Sequence, residues 1–139
     1  MPELREQEGN AQYGDLIRTL VPVSGLTPQL QNKLISLATI LTFNQKEFVF
    51  KQGDMDEYAF YLLAGQIELL SNKQVQSTIV SGTDSARYAM ARLQPRQFSA
   101  RAKTDIVILE LERVTLDRLM VMDQQGKEQD INGGGADME

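Results

Sequence analysis

The sequence predicts a mainly β fold with flanking helices, a β-sandwich or jelly roll, on three observations. Short β-branched and aromatic runs separated by turn residues fill the middle of the chain from Thr39 to Leu111. Helical periodicity is confined to its two ends. The 139 residues, 42% hydrophobic, suffice for one compact core and no more.

Residues 1–10 are polar and acidic and are expected to be a disordered lead-in. A short helix is expected from Gln12 to Leu20, with Leu16, Ile17 and Leu20 on one side, until Pro22, Ser24 and Gly25 break it. Thr27-Pro28 then offers a hydroxyl N-cap followed by a proline at the first helical position. Leu30, Leu34, Leu37 and Ala38 follow at the spacing of one buried helix face.

At Thr39 the period changes. Thr39–Phe43 and Phe48–Phe50 read as strands around the polar Asn44–Glu47, and Gly53-Asp54 as a turn. Tyr58–Leu63 and Gln66–Leu70 flank Gly65, where an isolated glycine marks a bulge or tight bend. Another strand is expected over Gln74–Val80. Ala86–Leu93 reads as one or two helical turns stopped by Pro95, and strands resume over Phe98–Ala102 and Ile106–Leu111. Val114–Met122 is a final amphipathic helix. The domain is therefore expected over residues 11–122, and residues 123–139, with five acids, one lysine and Gly133-Gly134-Gly135, as a flexible acidic tail or a linker to further domains.

Composition narrows function. The chain has no Cys, His or Trp, which removes disulfides, thiolate and imidazole chemistry and most metal-ligand sets. An enzyme is not expected, and a jelly-roll metalloenzyme, which needs histidines beside a carboxylate, is excluded. No run approaches the roughly 18 apolar residues of a membrane span, so a cytoplasmic protein without membrane contact is expected. Net charge is −5, which argues against direct nucleic-acid binding, and nothing after Asp123 can form a helix-turn-helix. The basic residues are nonetheless clustered. Arg87, Arg92, Arg96, Arg101 and Lys103 fall within residues 86–103 with no acid among them, where an anionic ligand would be drawn.

In this order the elements resemble a cyclic nucleotide-binding domain of the kind found in catabolite activator proteins and cyclic-AMP-dependent kinase regulatory subunits. The landmarks are Gly53-Asp54, the Tyr61–Ile67 strand with its glycine, Gly82 opening a cassette and Pro95-Arg96 closing it, spread over roughly Leu16–Leu119. The resemblance implies a double-stranded β-helix, or jelly roll, and a regulatory sensor role in a signalling protein. It also implies a phosphate-binding cassette, in which helix N–H groups and an arginine hold a cyclic phosphate and a glutamate accepts the ribose hydroxyl proton.

Counted back from Arg96, the family's Gly-Glu falls on Ala86-Arg87 and its Leu-Ala-Leu on Tyr88-Ala89-Met90, while its small positions after the arginine fall on Gln97 and Phe98. Arg87 has only donors and cannot accept from a ribose hydroxyl. The candidate site is thus Gly82, Ala86, Arg87, Tyr88, Ala89, Arg96, Gln97 and Phe98, with a lost or altered cyclic nucleotide affinity. No cofactor is expected. The ligand is a cyclic nucleotide, with cyclic AMP disfavoured, or another small anion held by Arg87 and Arg96.

Plainer readings stand beside these. Arg96 is a phosphate contact or a surface arginine after a proline, and the basic run is a ligand site or a solvated face paired with Glu68, Glu110 or Glu112. The resemblance implies that the output element is Arg113–Met122, acting on further domains of the same protein or on a partner protein, with a homodimer as a further arrangement.

Overall fold

The computed structural model describes residues 6–136, with side chains described over residues 12–126. Two antiparallel sheets form the centre, as expected. The three-stranded sheet has the order β1 (Thr39–Phe43), β7 (Ile106–Glu112), β3 (Tyr58–Ala64). The four-stranded sheet has the order β2 (Phe48–Phe50), β6 (Ser99–Ala102), β4 (Gln66–Ser71), β5 (Gln74–Val80). Helices α1 (Glu6–Ile17), α2 (Pro28–Leu37) and α3 (Arg113–Ala136) flank them.

The long apolar runs of β3 and β7 exist because both faces of these strands are buried. On β3, Phe60 and Leu62 point between the two sheets while Ala59, Tyr61 and Leu63 point toward the helices. On β7, Ile106 and Ile108 face inward between the sheets, and Leu109 and Leu111 face the helices. Two cores result. Ile17, Leu20, Leu34, Tyr61 and Leu119 join the helices to one sheet, and Phe43, Phe50, Phe60, Ile67 and Met90 fill the space between the sheets.

Local signals place the connections. Thr27 caps α2 by accepting the Leu30 N–H at 3.4 Å, with Pro28 at the first helical position. Leu34 and Ile35 are buried, whereas Leu37 is half exposed and lies off the stripe that Leu34 and Ala38 define. Gly65, between β3 and β4, has φ +92°, and a Cβ there would lie 2.4 Å from the Asp105 carbonyl oxygen. Only glycine satisfies both the left-handed backbone and that approach.

Three elements differ from the sequence expectation. α1 begins at Glu6, inside the segment expected to be irregular, because Glu6, Gln7 and Glu8 are good helix formers; residues 1–5 of that lead-in lie outside the described residues. It also ends at Ile17 rather than Leu20. The helical turns expected over Ala86–Leu93 shrink to a single 3₁₀ turn, Asp84–Arg87, after which Tyr88 is extended. Beyond it the Met90 N–H donates to the Phe60 carbonyl at 2.9 Å, so this stretch bonds to β3 instead of to itself. Finally, α3 passes the expected end at Met122 and runs to Ala136. Asp123, expected to open a coreless tail, is buried and accepts the Thr27 N–H at 3.2 Å, which anchors the helix beyond the expected domain limit. Residues 137–139 of that tail lie outside the described residues.

Candidate ligand site

The segment between β5 and β6 carries every candidate site residue. Gly82 turns the chain with φ +85°, Thr83 Oγ1 donates to the Val80 carbonyl at 2.6 Å, and the 3₁₀ turn follows. This turn offers little to an anion. The N–H groups of Ala86 and Tyr88 are spent on the Thr83 and Ser85 carbonyls.

Ala86 is buried and Met90 beside it packs into the core between the sheets; Ala89 packs toward the helices and Tyr88 is half exposed. Arg87 turns back to the connection between α1 and α2. Its Nε donates to the Thr19 carbonyl at 3.0 Å, its Nη1 pairs with Asp84 at 3.0 Å, and its own carbonyl accepts the Val21 N–H at 2.8 Å. Gly82, Thr83, Asp84, Ala86 and Arg87 line a cavity of about 250 Å³ with Leu20 and Leu62. That is below the roughly 300–1,000 Å³ of ordinary ligand pockets.

Arg96 is the centre of the segment. It is only 1% exposed, which excludes the surface position considered above. Nε and Nη2 donate to the two carboxylate oxygens of Asp56, at 3.0 and 2.6 Å. Nη1 donates to the carbonyls of Met90 and Ala91, at 3.3 and 3.1 Å, and Nη2 also to that of Tyr58, at 2.7 Å. All five guanidinium N–H donors are therefore engaged. The guanidinium also lies 4.2 Å from the ring centre of Phe50 and 5.3 Å from that of Phe60, as a cation over aromatic faces.

The backbone repeats this closure. The Gly53 N–H donates to the Arg96 carbonyl at 2.7 Å, and the Arg96 N–H to the Asp54 carbonyl at 2.8 Å. Gly53-Asp54 is thus a turn, as expected, and it clasps the end of the cassette. Gln97 is exposed and Phe98 half buried against the core between the sheets.

Asp56 is the residue of this candidate site that sequence reasoning missed. Besides Arg96 it pairs with Arg113, the first residue of α3, at 3.5 Å, and Arg113 Nη1 donates to the Tyr58 carbonyl at 2.9 Å. Burial by itself would raise the Asp56 carboxyl, but the Arg96 hydrogen bonds, the Tyr58 N–H and the two arginine charges outweigh it and hold the group below its usual value. The only advance signal was an acid shortly after Gly53-Asp54.

The basic run divides under this geometry. Arg87, Arg96 and Arg101 are paired, the last with Glu68 at 2.9 Å as one of the plainer readings expected, while Arg92 and Lys103 are exposed. Among the described residues no group of His, Cys, Asp and Glu side chains has a metal-holding arrangement, and no helix is long and apolar enough to cross a membrane.

Known structures share this fold. The chain matches cAMP-bound PfPKA-R with a TM-score of 0.69 at 16% identity, over 92% of this chain and 45% of that one. It matches the regulatory subunit of a cAMP-independent protein kinase A from Trypanosoma cruzi bound to guanosine, with a TM-score of 0.69 at 15% identity, over 85% of this chain and 43% of that one. It also matches the sensor domain of the transcriptional regulator DNR from Pseudomonas aeruginosa, with a TM-score of 0.64 at 13% identity, over 79% and 81%. At such identities the likeness is one of fold, and the chain spans less than half of either kinase subunit. The family model described as the cyclic nucleotide-binding domain matches residues 40–123, which is more than half of the sequence. The chain therefore belongs to the cyclic nucleotide-binding domain family, a family of regulatory-type domains.

Proposed function

We propose that this chain is a regulatory, non-catalytic domain of a signalling protein in which the cassette has become a structural clasp and no longer grips a cyclic phosphate. One observation carries the reading: every N–H of Arg96 is held by Asp56, Met90, Ala91 and Tyr58, so a phosphate would have to break a buried ion pair to reach it. Arg87 compounds this, since it stands where an acceptor for a ribose hydroxyl is needed and supplies only donors. The output element is Arg113–Met122, acting on a further domain or a partner protein, with Arg113 tied to the clasp through Asp56. A cytoplasmic setting goes with this role.

The guanosine-bound kinase subunit supports a second reading, in which a ligand without a phosphate enters the same fold. A nucleoside makes no demand on Arg96. A small anion held jointly by Arg87 and Arg96 is disfavoured, because both guanidiniums already have partners.

Isothermal titration against cyclic AMP, cyclic GMP and guanosine separates the readings. Neither cyclic nucleotide should give saturable heat, and binding tighter than ~10 μM, the range of an ordinary specific site, overturns the clasp. Arg87→Glu with Ala86→Gly should restore nothing while Arg96 stays on Asp56. Guanosine binding alone selects the second reading.

A further inference from the structure

A second cavity lies on the other side of β3 from the cassette's own. It measures about 580 Å³ and is bounded by the segment after the 3₁₀ turn, by β3 and by α3. That volume is within the range of small-molecule sites. Its apolar walls include Tyr61, Tyr88, Leu116 and Met120, and two of these remain well exposed, Tyr88 at 49% and Met120 at 38%. Tyr61 belongs to the helix-side face of β3, opposite Phe60 and Leu62, so this space is separate from the interior that the Arg96 clasp fills.

Two charges of opposite sign also line the cavity, Arg92 from the cassette segment and Asp117 from α3. Both are exposed, and the side chain of neither makes a hydrogen bond or ion pair among the described residues. Arg113 lines it too, but is committed to Asp56 and the Tyr58 carbonyl. An apolar cleft with one uncommitted cation on one wall and one uncommitted anion on the other is complementary to a ligand carrying both charges. Either charge alone would leave one wall unmatched.

We infer that this cleft binds a small apolar zwitterion, an α-amino acid or a short peptide, with its carboxylate on Arg92, its ammonium on Asp117 and its apolar body against Tyr61, Tyr88, Leu116 and Met120. The inference is independent of whether the cassette binds a nucleotide. Such a ligand bridges the cassette segment and α3, so it favours whichever arrangement holds those two walls at the right separation.

The chain has no Trp, so an indole-bearing probe is read without background from the protein. Fluorescence anisotropy of L-tryptophan and of the dipeptide Trp-Leu should rise and saturate on titration with the whole chain; the tighter of the two identifies the source as free amino acid or peptide. The neutral N-acetyltryptophanamide should bind about tenfold or more weakly, the loss expected when charge-assisted bonds are removed. Arg92→Gln should weaken the anion indole-3-propionate and spare the cation tryptamine, and Asp117→Asn should do the reverse. Both side chains are exposed, so the fold is not at risk, and an unchanged thermal melt verifies it. Two results overturn the inference: no rise with either zwitterion up to about 1 mM, far weaker than a specific site, or binding of the neutral analogue as tight as that of the zwitterions, with neither variant changing the binding of the charged probes.

Discussion

Arg96 and Asp56 close the cassette onto the loop before β3 through a bidentate pair whose shorter bond is 2.6 Å, with the arginine side chain fully buried and the aspartate 22% exposed. The same carboxylate receives Arg113 at the start of α3. One acid thereby joins the segment that would hold a ligand to the element that would report it.

The pair should dominate stability. Arg96→Ala leaves the partly exposed Asp56 with Arg113 alone and opens a space beside Phe50 and Phe60, so the loss should be on the order of 2 kcal/mol, below the roughly 3–5 kcal/mol of a fully buried pair. Arg96→Lys should recover little, because one ammonium cannot reproduce five planar donors. The acid side has a pH signature. Since the folded Asp56 carboxyl sits below its ordinary 3.8, its contribution is present above that value and is lost as pH falls through the folded value. Chemical denaturation from neutral pH into the acid range should show wild type losing stability that Asp56→Asn never had. Parallel curves for the two proteins would remove the role assigned to this carboxylate.

Tyr61 gives the opposite sign at the alkaline end. Its hydroxyl donates to the Val21 carbonyl at 2.8 Å, and burial pushes the phenol up to about 12 from 10.0, with the charge of Arg92 opposing part of the rise. The raised value means that the contribution is complete below pH 10 and is lost as pH rises through about 12. Ultraviolet titration should find one tyrosine ionising last, and that step should vanish in Tyr61→Phe, which gives up a hydrogen bond contributing about 1 kcal/mol. Ionisation of all four tyrosines together near 10.0 contradicts the buried bond.

Legibility in the sequence followed the range of the interaction. Thr27-Pro28 and Gly65 were readable because a cap and a left-handed turn are properties of a few neighbouring residues. The strands were readable from β-branched and aromatic runs, and Arg101 with Glu68 was among the pairings expected. Asp56 was not, since its partner lies 40 residues away and nothing local to either residue announces the other. The helix expected over Ala86–Leu93 failed for the same reason, its backbone having been claimed by Phe60 of β3. The candidate residues Ala86, Arg87 and Arg96 do lie in one segment, but what each side chain touches was set by the tertiary fold.

The docking of α3 should be separable from the β core. Leu119 is 2% exposed among Ile17, Leu34 and Tyr61, and Asp123 one turn later accepts the Thr27 N–H. These two residues hold the helix to α2 and the helix-side core, whereas the space between the sheets needs neither. Asp123→Ala removes a charge-assisted, partly buried bond to the start of α2, so exchange of the α3 amides should quicken by about tenfold, the effect of ~1.4 kcal/mol. Leu119→Glu places a charge in that core and should release the helix outright. In both variants the amides of β4 and β6 should exchange as in wild type. If the α3 amides of wild type exchange as slowly as those of β7, and Asp123→Ala slows or preserves them, the helix is ordinary core packing and Arg113–Met122 cannot serve as a movable output.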